Sequence, residues 1–193
     1  MSTRDALLDA GEIRMKQVGY SGFSYADLAH DVQIRKASIH YHFPNKADLA
    51  QATMVRYRQS LAESLAGVST TEVDGLVAGF AQIFLDAYDG PGHGCLCGSL
   101  AADLDALPTS VRQEVEGWWG DCTAWLTGAI RHARPDHPDP RAAATLVLAL
   151  FEGAMTAARV MRSNQPLQLA RTAGSALICS ANLPTDRSTG VSS

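Results

Sequence analysis

The stretch from Val32 to Leu49, VQIRKASIHYHFPNKADL, constrains this chain more than any other. It gathers Arg35, Lys36, Ser38, His40, Tyr41 and His42 into about three helical turns. Pro44 ends that helix, because the residue before a proline is pushed out of helical space. Asn45 then caps a new helix that carries Lys46 in its first turn and Asp48 three residues after the cap. Ile34, Ile39 and Phe43 supply an apolar side. Such a segment lies against a phosphate backbone with one face while a core holds the other, and it points to a DNA-binding protein.

The remaining sequence reads as helix throughout. Strand-like alternation is absent, and Gly and Pro fall at helix-length intervals. A first helix is expected from about Ser2 to Val18, stopped by Gly19, and a short second one after the capping pattern Ser24-x-x-Asp27. The third covers about Arg35 to His42, and the fourth follows Asn45. The fifth spans about Thr71 to Tyr88, the sixth Cys95 to Leu107, and the seventh starts at Pro108 and reaches about His132. The proline-rich run 134–140 is a rigid linker. An eighth helix covers about Arg141 to Met161 and a ninth about Pro166 to Ala181. The fold class is therefore all-α, with about nine helices. A three-helix unit suited to DNA occupies 1–48, a larger helical body 49–182, and a polar, disordered tail 183–193.

Mean charge misleads here. The net charge of −4 disfavours nucleic acid, yet residues 1–60 carry +2 and residues 61–193 carry −6. A local basic face is what phosphate binding needs. Mean hydropathy of −0.05 suits a soluble protein. No apolar run approaches the roughly 18 residues of a membrane span, and the N-terminus lacks a signal-peptide core, so a cytoplasmic location without a membrane partner is expected. Cys95, Cys97, Cys122 and Cys179 lack zinc-ligand spacing, so free thiols and no metal or cofactor are expected.

Two short helices separated by about three or four residues near an N-terminus describe a helix-turn-helix, whose second helix enters the major groove. Small Ala37 and Ser38 let that helix approach closely. IRKASIHYHFPNKADL resembles the recognition-helix signature of the tetracycline-repressor (TetR/AcrR) family, and GYSGFSYADLAHDV resembles the segment that precedes it. The likeness covers roughly residues 5–50. Three positions depart from the family pattern: Gln33 and Ala37 stand where Gly is usual, and His40 where Tyr is usual. The resemblance implies phosphate contacts from Thr3, Ser24 and Lys46, and groove contacts from Arg35, Lys36, Ala37, Ser38, His40 and Tyr41. It implies a ligand-responsive regulator, mostly a repressor and not an enzyme, that binds a palindromic double-stranded operator as a homodimer.

The last two helices carry stripes suited to a two-fold interface: Leu146, Leu150, Gly153 and Ala157 on one, Ala170, Gly174 and Leu177 on the other. Clustered aromatics in a helical body read first as core, but the resemblance implies that 49–182 is a hollow ligand-binding and dimerisation domain, with Met54, Tyr57, Phe84, Tyr88, Cys95, Trp118, Trp125, Phe151 and Met155 as candidate walls of a pocket for a small, mostly apolar effector. The run GCLCGSLAADLDAL resembles a Gly-Cys-Leu stretch in one branch of the family that senses electrophiles or oxidants. Cys95 at a helix start beside His93 is expected to gain thiolate character, so a thiol-reactive electrophile is an alternative effector. A helical enzyme using Cys95 with His93 lacks a visible orienting acid. A module that has lost DNA binding conflicts with intact Arg35, Lys36 and Lys46.

Overall fold

The computed structural model describes residues 2–180. The expected tail, 183–193, lies outside them. Nine α-helices are present among the described residues: α1 (Thr3–Val18), α2 (Tyr25–Val32), α3 (Lys36–His42), α4 (Lys46–Ala66), α5 (Val73–Asp89), α6 (Leu96–Ala101), α7 (Thr109–Ala133), α8 (Pro140–Met161) and α9 (Gln165–Cys179). The sixth helix is shorter than its sequence suggests. It stops at Ala101, and a single 3-10 turn, Leu104–Ala106, carries the chain to Pro108. Pro108 sits just outside α7 as its cap.

Local chemistry sets the helix starts. Ser2, Ser24 and Asn45 each form a reciprocal capping box, with Asp5, Asp27 and Asp48 respectively. Gln33 caps α2 in the left-handed region, with φ 57° and ψ 44°. The helix-turn-helix geometry is thus kept without glycine, at a cost of roughly 1–2 kcal/mol.

Helix α1 packs on α2, α4 and α6, while α4 also packs on α7. In the body, α8 lies between α7 and α9, and α5 packs on α8 and α9. One core runs through both parts. Phe80 is its aromatic hub, with Phe84 and Phe151 at 5.3 Å each and Trp125 at 6.4 Å between ring centroids. Helix α8 has the length and apolar composition of a membrane span, with a mean hydropathy of 1.4 in its best window, contrary to the expectation that no segment approaches one. Its stripe Ala144, Val147, Leu148, Phe151, Met155 and Ala158 is buried within this chain.

Helix α4 passes unbroken through position 48, where the domain division was expected. Arg56 on it pairs with Asp9 and Glu12 of α1, at 2.7 and 3.3 Å. Arg58, two residues on, pairs with Glu114 and Asp121 of α7, at 2.6 and 2.7 Å. Gly117 makes room for that second clamp, since a Cβ there would lie 2.6 Å from the guanidinium carbon.

Candidate nucleic-acid interface and ligand cavity

The reading face of α3 is open. Arg35, Lys36, Ala37, His40 and Tyr41 are exposed, Ser38 is half-buried, and Ile39 between them is fully buried. Tyr41 is 84% exposed, which is rare for an aromatic that serves only packing. The Tyr25 hydroxyl, which lies 2.9 Å from the Phe43 carbonyl and 2.6 Å from that of Asn45, fixes the turn into α4. Burial pushes this phenol up to about 12. Nothing in the sequence motif singled Tyr25 out.

Three expected DNA contacts already have partners inside the chain. Ser24 accepts from the Ala26 N–H and donates to the Asp27 carboxylate at 2.8 Å, so it acts as a cap. His40 donates from Nδ1 to the Pro44 carbonyl at 3.0 Å. The Lys46 ammonium donates to the Phe23 carbonyl and lies over the rings of Phe23 and Tyr20, at 4.2 and 4.7 Å. Burial lowers its pKa. It staples the α1–α2 link to the start of α4 and retains donors for a phosphate. Thr3 is exposed in the first turn of α1.

A cavity of about 180 Å³ lies between α1, α4, α5 and α7. Helix α4 contributes Tyr57, Ser60, Leu61 and Ser64, and α5 contributes Ile83, Phe84 and Ala87; Lys16, Cys95 and Trp118 complete the wall. Of the nine pocket candidates, four line it: Tyr57, Phe84, Cys95 and Trp118. Met54, Phe151 and Met155 are core, with at most 2% exposure. Trp125 stacks behind on Phe80, and Tyr88 turns its ring toward His93. Ser60 and Ser64 are exposed and rim the cavity, while Lys16 was missed because a polar residue on an amphipathic helix reads as solvent-facing. Only the approach of α1 to α4 turns Lys16 inward.

Cys95 does stand at the start of α6, but burial overrides the helix-end effect. It is 4% exposed, accepts from the Tyr57 hydroxyl at 3.6 Å, and has the Glu152 carboxyl as its charged neighbour. Burial pushes its thiol well above the usual range, and the Glu152 charge adds to that. Low-pKa thiolate character is therefore absent in this resting arrangement. His93 binds the Tyr88 carbonyl through Nδ1 at 2.9 Å instead of supporting Cys95. Glu152, 57 positions away on α8, is the acid that the sequence did not reveal. Gly98 admits it, because a Cβ there would lie 2.3 Å from its Oε2. Burial pushes the Glu152 carboxyl up to about 7. A protonated thiol predicts slow alkylation. With iodoacetamide at pH 7, Cys95 should react at least about tenfold more slowly than the exposed Cys179, as followed by mass spectrometry of each peptide. Faster reaction at Cys95 would contradict its burial.

The outer faces of α8 and α9 are uncovered. Leu146 is 37%, Val160 80% and Leu169 63% exposed, and a Cβ on Gly153 would meet nothing within 4 Å. Leu150, Ala157 and Leu177 are half-buried at the edge of this face. Ala170 and Gly174 face the other way. Ala170 is 2% exposed, and a Cβ on Gly174 would lie 3.1 Å from Val77. They serve the chain's own α5–α8–α9 core and offer nothing to a partner. Exposed Leu169, which the stripe omitted, belongs to the outer face. No cluster of three or more His, Cys, Asp or Glu side chains suited to a metal occurs among the described residues.

An exposed basic helix held by a capped turn, joined through one continuous helix to a cavity, defines a DNA-binding transcription regulator of the helix-turn-helix class. Residues 7–53 match the family model for bacterial regulatory proteins of the tetR family, and residues 76–174 match that for the tetracyclin repressor-like C-terminal domain. The chain belongs to the TetR family. It is 28% identical over 176 residues to the HTH-type transcriptional repressor NemR of Escherichia coli, covering 86% of this chain and 88% of that protein. It is 27% identical over 177 residues to the HTH-type transcriptional repressor DhaR of a Mycobacterium species, covering 85% and 86%. A TetR transcriptional regulator from Legionella pneumophila superimposes with a TM-score of 0.84 at 27% identity, covering 90% of this chain and 96% of that one.

Proposed function

We propose that this regulator is a cytoplasmic, non-enzymatic repressor that binds a palindromic operator as a homodimer and leaves it when a small effector enters the cavity. One observation carries the effector step: α4 begins at the turn that follows the reading helix and forms one wall of the cavity along Tyr57, Ser60, Leu61 and Ser64. Its two arginine clamps tie it to α1 on one side and to α7 on the other. A ligand that displaces α4 changes the position of the DNA-binding unit against the body, and so the separation of two reading helices across a two-fold axis. Coupling requires only that the ligand prefer one of those arrangements.

The dimer half of the reading is testable at Gly153. The site is empty in the single chain, so Gly153→Leu is expected to leave the fold intact and to overpack a partner. The cost is roughly 1–3 kcal/mol per overpacked site, felt twice across a two-fold axis. Sedimentation should show a shift toward monomer at low micromolar concentration, with parallel loss of operator binding. An unchanged dimer would place the interface away from the α8–α9 face.

A second reading, a thiol switch, is favoured by the contact between Cys95 and Glu152. A cavity-lining thiol whose neighbour can take its proton is equipped to react with an electrophile, despite its high resting pKa.

A further inference from the structure

Two polar side chains of the cavity wall, Lys16 and Trp118, can only donate. The Lys16 ammonium sits in a residue that is only 6% exposed. It reaches the Glu12 carboxylate at 2.8 Å and lies 5.3 Å from the centre of the Tyr57 ring. Its stem runs along Gly92, where φ is +87° and a Cβ would come within 3.0 Å of the Lys16 Cβ. Its carbonyl accepts from Ser99 and Arg159, at 3.2 and 3.0 Å. The lysine is thus held from three elements and is not a solvated side chain that happens to border a cleft.

Trp118 also packs on Tyr57, stacked at 6.4 Å between ring centroids. Trp118 is 2% exposed, and its indole N–H has no partner in the protein. A buried donor without an acceptor costs about 1–3 kcal/mol, so an occupant that supplies one recovers that energy. The Tyr57 hydroxyl proton is already directed at Cys95, and Ser64 donates to the Ser60 carbonyl. Leu61, Ile83, Phe84 and Ala87 make the remaining wall apolar.

We infer that the cavity is built for a small anion with a flat apolar body, whose oxyanion is read by Lys16 and which offers an acceptor to the Trp118 N–H. Glu12 does not oppose this. Arg56 also reaches it at 3.3 Å, so its charge keeps a partner when Lys16 turns to the ligand. Glu152, the acid behind Cys95, is pushed up to about 7 by burial, which limits its repulsion of an anion at neutral pH. A dry cavity of about 150 Å³ accommodates benzene, so a ring with one short substituent suits the space here. Because Lys16 belongs to α1, such a ligand would touch the DNA-binding unit directly. The inference rests on the effector reading above and narrows it to a chemical class.

Benzoate and its neutral counterpart benzyl alcohol are the probes. Calorimetry on the wild-type dimer should give a benzoate Kd at least about tenfold below that of benzyl alcohol, the usual worth of a hydrogen bond to a charged group. Lys16→Met, which keeps the stem, should erase that preference, and Trp118→Phe should weaken benzoate several-fold. Equal affinities in the wild type, binding of neither probe at millimolar concentration, or a preference that survives in folded Lys16→Met would overturn the inference. Operator binding, followed in parallel by anisotropy, separates the two claims. Benzoate bound with the operator still held supports the anion site and removes the effector role. Operator release by benzyl alcohol alone keeps an effector role and overturns the anion.

Discussion

Lys36→Ala and Tyr41→Ala are each expected to weaken operator binding by about 2–6 kcal/mol, since a base-reading contact contributes about 1–3 kcal/mol and each substitution acts at two half-sites. Neither should disturb folding. Both residues are exposed, and exposed substitutions typically stay within about 0.5 kcal/mol. Loss of DNA binding without loss of thermal stability is therefore the signature. Lys46→Ala should behave differently. It removes the staple over Phe23 and Tyr20, so melting temperature and affinity should fall together, and affinity should fall alike for operator and scrambled duplex. Anisotropy titrations of all three variants against both duplexes, at several salt concentrations, give the comparison. The wild type should lose affinity steeply with salt as phosphate contacts release counterions. If all three variants lose the same amount on both duplexes, Lys36 and Tyr41 are backbone contacts and the sequence is read elsewhere.

The DNA-binding unit was largely legible in the sequence because local rules build it. Capping boxes, a proline stop and the alternation of exposed Lys36 and Tyr41 with buried Ile39 act within a few residues of each other. The exceptions show where locality fails. Lys46 and His40 looked free because their partners, the carbonyls of Phe23 and Pro44, are backbone groups presented by turns. The cavity was legible only in Tyr57, Phe84, Trp118 and Cys95. Lys16 reaches it through the meeting of α1 with α4, and Glu152 reaches Cys95 behind its wall through the meeting of α8 with α6, which no periodicity encodes. The interface stripe failed at Ala170 and Gly174 for a related reason. Small residues permit close approach on either face of a helix, and the approach of α5 to α9 uses them.

Glu152 gives the second large effect. Its carboxyl titrates near 4.5 when the chain is unfolded and is pushed up to about 7 by burial in the folded chain. Between those values the folded state keeps a proton that the unfolded state has released. Stability from this group is therefore fully present below about pH 4.5 and is lost as pH rises toward 7. That span corresponds to about 3 kcal/mol. Glu152→Gln keeps the shape against Gly98 and cannot ionise. Relative to wild type it should be nearly neutral at pH 4.5 and stabilised by about 3 kcal/mol at pH 8, as read from urea denaturation at each pH. A difference that does not change with pH would mean that water reaches the carboxylate. The groups that face Glu152 are the thiols of Cys95, Cys97 and Cys122, each of which its negative charge pushes further up. Ionised Glu152 thus discourages spontaneous thiolate formation while offering Cys95 a place to leave its proton. The two roles separate in the same variant. If the carboxylate serves only packing, Glu152→Gln leaves Cys95 alkylation unchanged. If it serves as proton acceptor, alkylation of Cys95 by a Michael acceptor such as N-ethylmaleimide slows in the variant, and its rise around pH 7 disappears.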